Sequence, residues 1–87
     1  MNDTITSEQP TAGKMALDVR GLPPPEPMQR VMEALAELAP GSVLVVQIHR
    51  EPVFLFDLIT PGGWRHSGRQ LGADHWEIRI WRTADET

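Results

Sequence analysis

This 87-residue chain carries three histidines and no cysteine, and those two counts bound its chemistry. Without a thiol there is no disulfide, no thiolate metal site and no sulfur nucleophile. His49, Arg50 and Glu51 follow one another directly after an apolar run. An imidazole, a guanidinium and a carboxylate side by side could hold an anion or move a proton. General acid–base catalysis needs a second positioned group, however, and the spacing supplies none. Metal binding meets a similar obstacle. His49, His66 and His75 show neither His-x-x-x-His nor His-Glu-x-x-His spacing. Only a fold that turns His75 back on His49, with Asp74 or Glu51 nearby, would make a pair. The expectation is therefore no cofactor and no metal. Trp81 stands two residues after Arg79, on the same side of any strand. If exposed, that pair is a plausible contact surface. If covered by a neighbouring segment, Trp81 is core.

These residues need elements to position them. Residues 16–20 read as a first strand, ended by the Gly-Pro cluster at 21–27. The prolines fix φ and push preceding residues out of helical geometry, yet suit the first turn of a helix. Met28, Val31, Met32, Leu35 and Leu38 then repeat at helical spacing, so a helix over 28–38 should lay one apolar stripe on the core. At those positions Met28 and Met32 read as core filler rather than ligands. Pro40-Gly41 stops the helix. Residues 43–48 are continuous, apolar and β-branched, as in a central strand. Residues 53–59 are apolar almost all round, so periodicity cannot separate strand from helix. Pro52 before and Pro61-Gly62-Gly63 after fit a short helix. Residues 64–71, with Gly68, read as an edge strand. Residues 76–82 alternate: Trp76, Ile78 and Ile80 face one way, Glu77, Arg79 and Trp81 the other.

The resulting order is β-α-β-α-β-β. Right-handed crossovers put both helices on one face, giving an α+β two-layer sandwich with a four-stranded sheet. The first two strands, as parallel neighbours, end together. Their rim then gathers Arg20, Pro24, Glu26, His49, Arg50 and Glu51 beside two helix starts. Such rims commonly bind ligands, and Arg20 and Arg50 could clamp an anion there. The plain alternative is solvated loop charges. Residues 1–14 and 83–87 are polar and read as tails, leaving 15–82 as the single domain. A net charge of −4 disfavours nucleic acid, and no apolar run reaches membrane-spanning length. With no charged-then-apolar leader, a cytoplasmic location is the default expectation.

The stretch from Leu17-Asp18 through Gly21-Leu22 to Pro24-Pro25-Glu26-Pro27 resembles the signature of TusA-like (SirA-like) sulfur carriers. Glu51-Pro52 and Gly63-Trp64 follow in the same order as in that superfamily. Pro-Pro-Glu-Pro-Met and His-Arg-Glu-Pro are similar to a cysteine-less, uncharacterised branch of it. The resemblance covers about residues 16–82 and implies sheet order 1-2-4-3 with strand 4 antiparallel. It also favours a helix at 53–59. In sulfur carriers the loop presents a nucleophilic Cys at a helix N-terminus; here that position is Pro24. Some domains of that branch lie beside hemerythrin-like domains, a family-level hint of redox context. The expected function is a non-catalytic binding module for a protein partner or small anionic ligand. A metal- or redox-linked accessory protein using His49 and His75 is the alternative.

Overall fold

The computed structural model describes residues 13–82. Four strands and two helices follow the expected order: β1 (Gly13–Asp18), α1 (Glu26–Glu37), β2 (Ser42–Ile48), α2 (Val53–Ile59), β3 (Arg65–Gly72) and β4 (His75–Trp81). The sheet order is β1-β2-β4-β3. β1 is parallel to β2, and β4 is antiparallel to both β2 and β3. Among the described residues no helix is long and apolar enough to cross a membrane.

Boundaries differ from expectation by a few residues. β1 begins at Gly13, because Gly13 pairs with Ser42 at the first rung of the parallel ladder. A side chain at Gly13 would meet the Ser42 hydroxyl at 2.9 Å, so glycine permits that approach. Gly13 and Lys14, counted with the tail on sequence grounds, are thus strand residues. The rest of the expected tails, 1–12 and 83–87, lies outside the described residues. Val19 extends the ladder, donating to the Gln47 carbonyl at 2.9 Å, before Gly21 turns the chain with φ +85°. That left-handed conformation favours glycine.

α1 starts two residues earlier than its methionine stripe suggests. Its buried positions are Pro27, Val31, Ala34 and Leu35. Met28 packs at the edge of the core, while Met32 is 41% exposed. The stripe is rotated because Pro27 and Ala34 take the sheet-facing line and leave Met32 at its margin. Glu26 in the first turn suits the helix dipole and bonds Arg30 at 3.0 Å. α2 is indeed helical. Leu55 and Ile59, one turn apart, are buried, and Thr60 caps the end by donating its hydroxyl to the Phe56 carbonyl at 2.7 Å.

The core lies between the helices and one sheet face. Val31 and Leu35 of α1 and Leu55 and Ile59 of α2 meet Leu44, Val46, Ile48, Ile78 and Ile80. Gly68 of the edge strand stands opposite Ile78, and a methyl there would sit 2.7 Å from its Cδ1. His66 stacks on Phe56 with ring centroids 3.8 Å apart, tying the edge strand to α2. Arg82 lies over Trp64, 4.2 Å from the ring centroid.

Trp81 takes the second of the two readings the sequence left open. It faces away from the helices, as alternation requires, paired with Val43 across β2 and β4. Yet it is only 4% exposed and clusters with Val43 and Val45. It is core on the second face, not an exposed contact.

Candidate functional site

A groove of about 470 Å³ opens where β1 and β2 end and the helices begin. Buried Val31, Ile48 and Leu55 lie at its base. Pro24, Pro25, Pro27 and Pro52, with Met28, form apolar walls. His49, Arg50, Glu51, Val53 and Phe54 complete the lining. The prolines stand here because both connections into the helices must turn sharply, and a fixed φ suits those first turns. Four of the six expected rim residues therefore share this groove: Pro24, His49, Arg50 and Glu51.

Glu26 does not line it. It borders a neighbouring hollow with Pro23, Gln29, Arg30 and Glu33, and its carboxylate bonds Arg30. Arg20 is also absent. Its guanidinium grips both oxygens of Asp18, at 3.0 and 2.9 Å, and its backbone N–H donates to the same carboxylate at 3.1 Å. Asp18 shares a register position with Gln47 and so faces the open side of the sheet. The Arg20 side-chain bond, helped by the backbone bond, holds the Asp18 carboxyl down at about 2. The expected Arg20–Arg50 clamp for an anion is not assembled. A side-chain acceptor two residues before a turn residue is the Asx-turn pattern, so Asp18-Val19-Arg20-Gly21 held a signal for this diversion.

The histidines separate by role. His75 donates through Nε2 to the Gln47 side-chain oxygen on the open sheet face. Gln47 in turn donates to Glu77 at 3.3 Å, and Arg69 bonds the same carboxylate at 3.2 Å. Arg79 approaches Glu77 at 3.7 Å, so the expected Trp81–Arg79 contact pair is divided between core and ion pair. Burial pushes the Glu77 carboxyl up, but the Gln47 bond and the two arginines outweigh it and lower it overall. His49 instead lines the groove, with its Nδ1 buried and without a hydrogen-bond partner. Strand pairing stops one step before the two histidines, at Ile48 and Trp76. Among the described residues no three His, Cys, Asp or Glu side chains cluster closely enough to hold a metal.

The residues that sequence reasoning passed over are apolar. Phe54 is 79% exposed, and Val53 and Leu58 are also exposed on α2. The signal was available: a short helix apolar on all sides can bury only one side in a two-layer fold.

The sequence model of one family, described as "Uncharacterized conserved protein (DUF2249)", matches residues 16–82. The chain belongs to the DUF2249 family. The matched span of this DUF2249 chain runs from β1 to the residue after β4 and contains the whole groove. No curated protein and no solved structure matches it.

Proposed function

We propose that this DUF2249 domain is a non-catalytic binding module that keeps a TusA-like scaffold without the sulfur carrier's thiol and docks a protein partner in the groove. The β1-β2-β4-β3 sheet and the proline loop leading into α1 support the TusA-like part. The observation that carries the docking part is the apolar groove itself, flanked by an outward-facing Phe54. Pro24, at the position where the TusA-like signature has its Cys, lines that groove and offers a stiff wall in place of a nucleophile.

An apolar protein segment fits better than a small anion. Arg20 is committed to Asp18, Arg30 to Glu26, and Glu51 offsets Arg50 at the groove, while most of the lining is apolar. Exposed apolar surface beside a concave, mostly apolar site is the usual composition of a docking surface. The test is capture of a partner from native lysate by the tagged chain. Phe54→Asp should abolish capture and Arg20→Ala should leave it intact. Undiminished capture by Phe54→Asp would overturn the proposal.

A further inference from the structure

The groove and the side chain that could fill a groove lie next to each other. Phe54 stands in the first turn of α2, and its ring projects from the lip of the site it lines. A twofold interface requires this juxtaposition: the same patch must present both the protrusion and the socket, so that each copy gives what it receives. The charges at the lip have the same property. Arg50 and Glu51 are consecutive and exposed, and no ion pair among the described residues involves either. Across a twofold axis, Arg50 would face the partner's Glu51, and Glu51 the partner's Arg50. Two complementary pairs then flank the apolar contact.

We propose that the occupant of the groove is a second copy of this chain, docked about a twofold axis with Phe54 of each copy seated in the groove of the other. The inference rests on the docking reading above and names its partner. A second copy covers Phe54, fills the groove and pairs the free lip charges in a single event. An unrelated partner would have to supply a protrusion, a socket and both charges separately. Leu58, one turn after Phe54 and exposed, extends the contact along α2.

Sedimentation equilibrium on the full chain, from about 10 μM to about 1 mM in about 0.15 M salt, reads this directly. The expected result is a mass rising from one chain to two. Phe54→Asp should weaken the dimer at least about tenfold, with an unchanged thermal melt at concentrations low enough that both chains are monomeric, because the ring is exposed in the single chain. Arg50→Glu and Glu51→Arg should each weaken it by placing like charges opposite each other. The double variant Arg50→Glu/Glu51→Arg should recover it, since both pairs are then reversed together. A dimer indifferent to Phe54→Asp would overturn the proposal, and so would a double variant no better than the singles. A chain that stays monomeric throughout yet loses lysate capture on Phe54→Asp would overturn the second copy alone and leave the docking reading standing.

Discussion

The open sheet face and the groove both carry charged and aromatic side chains, but they use them differently. On the sheet face Asp18 holds Arg20, His75 donates to Gln47, Gln47 donates to Glu77, and Arg69 and Arg79 close on the same carboxylate. Trp81 is buried beside Val43 and Val45, although its indole Nε1–H has no hydrogen-bond partner among the described residues. At the groove, among the described residues, Arg50 and Glu51 make no ion pair and Phe54 stands in solvent, while His49 Nδ1 lacks a partner there as Trp81 Nε1 does on the sheet face. Residues whose needs are met within the chain stabilise the chain. Exposed apolar surface and uncommitted charge are what remain for another molecule.

That contrast breaks first at Trp81. Trp81→Ala should cost about 3–5 kcal/mol, the range for emptying a buried aromatic site, and chemical denaturation measures it. A loss under about 1 kcal/mol would return Trp81 to the surface. Phe54→Asp should do the reverse: a stability change within about 0.5 kcal/mol when both chains are monomeric but at least about a tenfold loss of binding. Paired denaturation and binding curves for the two variants sharpen the distinction more than either alone.

Smaller effects are expected at the proline loop. Pro24 is exposed on the groove wall, so Pro24→Cys should fold and melt within about 4–8 °C of the parent, equivalent to about 1 kcal/mol. A variant that fails to fold would remove the correspondence between Pro24 and the sulfur carriers' Cys. The smallest effect concerns Asp18. Its folded value of about 2 lies below 3.8, so pairing with Arg20 favours the folded state above the unfolded value. That contribution is lost as pH falls from about 4 through about 2. Arg20→Ala should raise the Asp18 carboxyl toward 3.8 in an NMR titration while partner capture stays unchanged.

The fold was legible because its signals were local and redundant. The alternation of 76–82 gave β4 and its two faces, the apolar run 43–48 gave the central strand, and prolines marked both helix starts. Four of the six expected rim residues followed from topology, since parallel β1 and β2 bring Pro24 and residues 49–51 to one place. Arg20 escaped because a two-residue step to Asp18 outcompeted the longer reach across the rim. Trp81 stayed open between surface and core because alternation assigns a face but not what covers it. Met32 and Phe54 share one lesson: an apolar residue on a helical stripe is buried only if the neighbouring layer extends that far.

The most direct test places a photo-crosslinking phenylalanine analogue at position 54 and, separately, at position 69, in otherwise unchanged protein. After irradiation in native lysate, the account predicts a covalent protein adduct from position 54 and none from position 69. An adduct from position 69 alone would move binding to the sheet face and contradict the account.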